Sequence, residues 1–220
     1  MRGAAGRLYC PAMDFLDLDA LRGAAVATDP FPYLIVPGFV PAAARAALSV
    51  DYPRIDKPGS FPAGSLPIGP AFGDFLGALE SDDFRDTIAA KLGIDLAGRP
   101  TMVTVRGQAG PRDGNIHCDS KSKLVTVLIY LNDAWEAPGG RLRLLRSADD
   151  LDDMVAEVPP DAGTLLAFRV TPNSWHGHAP ARGPRRVVQF NWVTDEDVVR
   201  REQARHGLSA RVKRLLDFAR

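Results

Sequence analysis

Apolar residues recur at helical spacing over positions 19–27 and 41–50, and the stretch 31–36 between them runs into a Pro-Gly turn. That pattern predicts helix, short strand, helix. Positions 51–70 have no periodicity and hold five prolines and three glycines, which predicts a long loop. Helices are expected again at 71–79 and 82–92, the second with Ser81 in the N-cap position. After Gly98 the texture changes to short apolar stretches separated by turn residues. Eight strands are expected, at 101–106, 115–120, 123–131, 141–145, 154–158, 164–170, 174–179 and 185–194. The end of the chain, 196–220, is Arg-rich with Leu and Val at helical spacing, which predicts a terminal helix.

These elements group as an N-terminal helical support region (1–99), a β core (100–194) and a C-terminal helix (195–220) of one domain. The fold class is mainly β with flanking helices (α+β), and the core reads as a barrel or double sheet. Twenty glycines and eighteen prolines in 220 residues agree with many turns and argue against a helix bundle. With 45% hydrophobic and 25% charged residues the chain has material for a sizeable core and is not a disordered sequence.

Lys plus Arg number 27, as do Asp plus Glu, so the formal charge is zero and gives no long-range attraction to nucleic acid or anionic lipid. The expected partner is a small molecule or a protein or peptide. No run of about 18 apolar residues suggests a membrane span. Only Cys10 and Cys118 occur, so no disulfide framework is expected and a reducing, cytoplasmic setting fits. The acidic run 149–153 reads as a solvated turn.

The chemistry concentrates in Gly114-Asn115-Ile116-His117-Cys118-Asp119. On a strand, His117 and Asp119 share a face and Cys118 turns away as a small packed residue. An imidazole and a carboxylate so placed supply two thirds of a 2-His-1-carboxylate triad, the arrangement that holds non-haem Fe(II) and leaves three coordination positions open. A third ligand is expected within Asn173-Ser174-Trp175-His176-Gly177-His178-Ala179-Pro180, where His176 and His178 share a face and alternation leaves both open.

Arginines follow on the next strand. Arg186, Val188, Phe190 and Trp192 share one face, and Arg185, Val187, Gln189 and Asn191 the other. The first face is the more apolar, so Arg186 is expected to point inward, where a buried cation needs an anionic partner. On 123–131, Thr126, Leu128 and Tyr130 oppose Val125, Val127 and Ile129. The hydroxyl-bearing face is placed inward, with Thr126 and Tyr130 beside the arginine.

Taken together, His117-x-Asp119, the stretch from Leu128-Ile129-Tyr130-Leu131-Asn132 through Trp135 to Gly139-Gly140-Arg141, and His176-x-x-x-Pro180 followed by Arg186 resemble the iron(II)- and 2-oxoglutarate-dependent dioxygenases. The prolyl-4-hydroxylase-like branch is the nearest match. The resemblance implies a double-stranded β-helix (jelly roll, cupin-like), with Fe(II) on His117, Asp119 and His176 and with His178 near the substrate. It also implies 2-oxoglutarate held by Arg186 with Tyr130 and Thr126, and O2 and ascorbate as further reactants. The implied reaction hydroxylates a C–H bond of a protein residue, amino acid or metabolite and releases succinate and CO2. Arg106 stands where prolyl hydroxylases often have tyrosine, which suggests an acidic substrate group or an extra contact to the cosubstrate. Two other readings remain at this stage. One is a cupin-like metalloenzyme with His178 as a further ligand and no 2-oxoglutarate, and the other is a metal-free jelly-roll binding module.

Overall fold

The computed structural model of the protein describes residues 13–111, 113–201 and 204. Cys10, His206 and most of the helix expected over 195–220 lie outside the described residues; of that helix, residues 196–201 are helical. In chain order the elements are α1 (Leu18–Gly23), β1 (Tyr33–Val36), α2 (Ala42–Asp51), β2 (Phe61–Pro62), α3 (Pro70–Leu79), α4 (Asp82–Leu92), β3 (Thr101–Ala109), β4 (Lys123–Tyr130), β5 (Leu142–Leu145), β6 (Met154–Val158), β7 (Leu165–Arg169), β8 (His176–Gly177) and β9 (Gly183–Val193).

Two antiparallel sheets form the two walls of a jelly roll. The major sheet has the order β1-β7-β4-β9-β3-β2 and the minor sheet β6-β5-β8. A single bridge between His117 and His176 adds the segment before β4 to the edge of the minor sheet. The segment 115–120 is therefore an extended strip and not the regular strand expected from its pattern. Its geometry comes from one two-bond bridge, His117 N–H to His176 O and His176 N–H to His117 O, each at 3.0 Å. The long loop over 51–70 also contains structure that its prolines conceal, since Phe61 and Pro62 pair with Val105 and Thr104 at the edge of the major sheet. Proline is compatible with an edge position because it needs no ladder donor on the solvent side.

The helices cover the outer face of the major sheet. Val125, Val127 and Ile129 of β4 and Val188, Phe190 and Trp192 of β9 bury themselves against Phe72, Phe75, Phe84 and Ile88 of α3 and α4. Helix α4 starts where expected, with Ser81 Oγ accepting from Phe84 N–H at 3.3 Å, and ends at Gly93 in the left-handed conformation. Phe84 is fully buried, with its ring 5.9 Å from Phe39, 6.2 Å from Phe190 and 5.8 Å from Trp192, centroid to centroid. Phe84→Ala is expected to cost about 3–5 kcal/mol, and a thermal melt should fall by roughly 10 °C.

The inner face is more mixed. Tyr130, Leu142, Leu144, Phe168 and Val187 pack between the two sheets at one end. The rest of that interior is polar, and the candidate site occupies it.

Candidate active site

The interior opens as a cavity of about 560 Å³ lined by residues of β3, β4, β8, β9 and the 113–122 segment. Close backbone approach shapes its rim. Gly114 has φ +101°, and a Cβ there would lie 2.2 Å from the carbonyl oxygen of His178. His178 N–H donates to Gly114 O at 2.9 Å, which ties the two histidine-bearing segments together. Gly139 is as constrained, because a Cβ would sit 2.1 Å from Pro180 O.

The structure brings His117, Asp119 and His176 to one point. One possible ligand atom from each lies within 4.8 Å of the others, and the two imidazole centroids are 4.4 Å apart. Nδ1 of His117 lies 2.8 Å from Asn115 O, and Nδ1 of His176 lies 2.9 Å from Ser174 O. A carbonyl oxygen can only accept, so the network places a proton on Nδ1 of both rings and makes Nε2 the nitrogen available to a metal. Backbone carbonyls orient metal-binding histidines in this way. Burial pushes the His176 pKa down to about 4, so it is neutral near pH 7, as a ligand must be. Burial alone would raise the Asp119 carboxyl, but the Lys123 charge, His176 and hydrogen bonds from Lys123 and Thr126 outweigh it and hold the group below its ordinary value.

His178 also lines the cavity but stands outside this cluster, with Nδ1 at 2.9 Å from Ala179 O. Burial followed by the Arg185 charge lowers its pKa. Arg106 lines the same cavity, where its Nε donates to Ser60 Oγ at 2.8 Å and its Nη1 reaches Asp113 Oδ2 at 3.3 Å. Thr126 donates to Asp119 Oδ2 at 2.5 Å. Cys118 is half-buried beside the site and its thiol reaches Pro172 O at 3.5 Å.

Arg186 is the residue the structure moves. It does not point inward: its Nη1 donates to Ser49 Oγ at 2.9 Å, and its guanidinium lies 5.3 Å from the centre of the Tyr52 ring, on the helical side of the sheet. Arg185 occupies the interior. It is 6% exposed, lines the cavity, donates from Nε to Gly140 O at 3.2 Å, and lies 5.7 Å from the centre of the Tyr130 ring. Arg185 and Arg186 do lie on opposite faces of β9, as alternation predicts, but the face that looks inward is that of Arg185 and not the expected face of Arg186. The more apolar face of β9 is buried against the helices, and the more polar face lines the cavity. No ion pair to Arg185 is present among the described residues, and the buried Tyr130 hydroxyl has no hydrogen-bond partner there. Burial pushes that phenol up to about 12, so it stays protonated as a donor.

Sequence reasoning missed Lys123 and Asn191. Asn191 shares the Arg185 face of β9 and follows once that face is turned inward, whereas Lys123 has the opposite parity to Thr126 and lines the cavity next to the register irregularity between Lys123 and Val125. The Gly139-Gly140 pair serves this end of the cavity, because Gly140 O receives Arg185 and Gly139 O accepts from Trp135 Nε1 at 2.7 Å. Gly139→Ala should therefore displace the 139–140 turn against Pro180. Its expected result is a lower melting temperature by several degrees, from a loss of about 1–3 kcal/mol by overpacking.

Residues 107–194 match the model of the 2OG-Fe(II) oxygenase superfamily. No curated protein matches the chain in sequence. Among solved structures, a prolyl-4-hydroxylase of Pseudomonas putida is similar, at 22% identity over 81% of this chain and 97% of its own, with a TM-score of 0.54. A Trichoplax adhaerens prolyl hydroxylase, solved with a hypoxia inducible factor oxygen degradation domain peptide fragment, matches at 20% identity over 78% and 86%, TM-score 0.56. HygX from Streptomyces hygroscopicus with nickel and 2-oxoglutarate bound matches at 14% identity over 73% and 81%, TM-score 0.50.

Proposed function

We propose that this chain, whose residues 107–194 match the 2OG-Fe(II) oxygenase superfamily, hydroxylates a C–H bond of a protein residue, amino acid or small metabolite, consuming O2 and 2-oxoglutarate and releasing succinate and CO2. The observation that carries the reading is the convergence of two imidazoles and one carboxylate beside a buried arginine.

The donor set fits a ferrous ion. Two nitrogens and one carboxylate oxygen suit Fe(II) and leave positions for other ligands. The opposite end fits a dicarboxylate, since a guanidinium without an anionic partner and an orphan phenol both await an acceptor. When bound, iron would activate O2, which supplies the oxidising equivalents, while 2-oxoglutarate gives up two electrons on decarboxylation to succinate. The chain's own residues do the rest. His117, Asp119 and His176 would hold the metal, and their backbone and side-chain partners fix the ligand geometry. Arg185 and the Tyr130 hydroxyl would grip the distal carboxylate and set its distance from the metal. Arg106 and His178, on the same cavity wall, are placed to contact substrate. We propose a reducing, cytoplasmic setting on cysteine usage; the one described cysteine, Cys118, is a free thiol. No helix among the described residues is long and apolar enough to cross a membrane.

The test is succinate formation from 2-oxoglutarate with Fe(II) and ascorbate, followed by incubation with cell extract and a search for mass gains of one oxygen atom. Failure to form succinate under any of these conditions overturns the proposal.

A further inference from the structure

Both oxygens of Asp119 are already engaged by donors of this chain. Thr126 Oγ1 is 2.5 Å from Oδ2, and Lys123 Nζ is 2.7 Å from Oδ1. The first of these contacts is fixed in direction. Asn191 Nδ2 donates to Thr126 Oγ1 at 2.8 Å, while Asn191 Oδ1 accepts from Gln189 Nε2 at 3.2 Å. The amide can only donate through its nitrogen, so the single proton of the Thr126 hydroxyl is committed to Oδ2. Asn191 is fully buried and pairs with Thr126 in the β4–β9 register, so this relay is built into the sheet.

The second contact has no such lock. Lys123 opens β4 at a register irregularity, and its ammonium ends a flexible four-carbon stem whose side chain is 16% exposed. A metal held by His117, His176 and Asp119 requires one carboxylate oxygen. The donor able to yield is the ammonium and not the hydroxyl.

We propose that Lys123 competes with the metal ion for Oδ1 of Asp119 and so sets the metal affinity of the site below what its three ligands would give alone. The inference rests on the metal-site reading above. It runs opposite in sign to the usual role of a group hydrogen-bonded to a metal-bound carboxylate, whose loss weakens binding about 10–100-fold.

The sign of the effect is the test. Titration of the 220-residue chain with Mn(II) by calorimetry at pH 7 should show Lys123→Met and Lys123→Gln binding Mn(II) more tightly than the unsubstituted chain. The gain should be roughly ten-fold, the size expected for removing one charge-assisted hydrogen bond. Thr126→Val should bind more weakly. Equal or weaker Mn(II) binding by both Lys123 variants overturns the proposal and makes the lysine a positioning residue. Using two neutral variants protects the comparison if one fails to fold, which thermal melts without added metal would reveal. His117→Ala reports on the premise separately: it should lose Mn(II) binding, and undiminished binding would remove the metal site and the competition together.

Discussion

Arg185→Ala should weaken 2-oxoglutarate binding by about 2–5 kcal/mol, roughly 30- to 4,000-fold, the cost of truncating one partner of a buried charge pair. The reason is local. Arg185 is buried in the cavity wall beside the Tyr130 ring, donates to the Gly140 carbonyl and forms no ion pair among the described residues, so a dicarboxylate would supply its counter-charge. The neighbouring change makes a sharp control. Arg186→Ala removes contacts to Ser49 and Tyr52 on the far side of the sheet, and should leave the KM for 2-oxoglutarate within about two-fold, as expected for a group that touches neither ligand nor cavity. Steady-state succinate assays over a range of 2-oxoglutarate concentrations read both values. The reverse result, a high KM from Arg186→Ala and none from Arg185→Ala, would return the anchor to the face from which the structure removes it.

His117→Ala is the second large effect. It deletes one of the three side chains proposed to hold the metal and frees the 113–119 segment from the imidazole that closes the cluster, while the bridge to His176, being backbone, persists. Succinate formation should fall by at least ~100-fold, beyond the usual loss for a group that only supports a ligand. A melting temperature within a few degrees of the parent would show that the loss is chemical. Near-parental turnover in a folded His117→Ala protein would contradict the metal-site reading.

The strands and helices were legible where one periodicity dominated. Residues 82–92 carry a capping serine, an apolar stripe and a terminal glycine, and the helix follows those signals. The aliphatic Val125, Val127 and Ile129 likewise announce a buried face. Residues 115–120 were less legible, because an isolated bridge holds them and a bridge leaves no repeating pattern. Within the site, period-2 alternation pairs His117 with Asp119 but leaves His176 and His178 equivalent, and the choice of His176, which the structure brings into the cluster, rests on its spacing to Pro180 in the family pattern. The arginine could not be read, and the reason is instructive. Both faces of β9 are buried, one by helices and one by the opposite sheet, so hydrophobicity ranks the faces without saying which one looks into the cavity. On β4 the polar face had been placed inward, and the same rule applied to β9 would have selected Arg185. Lys123 and Asn191 were hidden for a related reason, because their importance arises from a hydrogen-bond relay across strands that sequence distance does not display.

The two-sided character of β9 divides its tasks residue by residue. Val188, Phe190 and Trp192 anchor the sheet to the helices, while Val187, Gln189 and their alternating neighbours line the reaction chamber. Mutational tolerance along this strand should therefore rise and fall with a two-residue beat. A library varied at Gln189 can reshape which molecules enter while leaving the sheet-to-helix contacts in place, whereas Val187 also packs between the sheets with Tyr130 and Leu144.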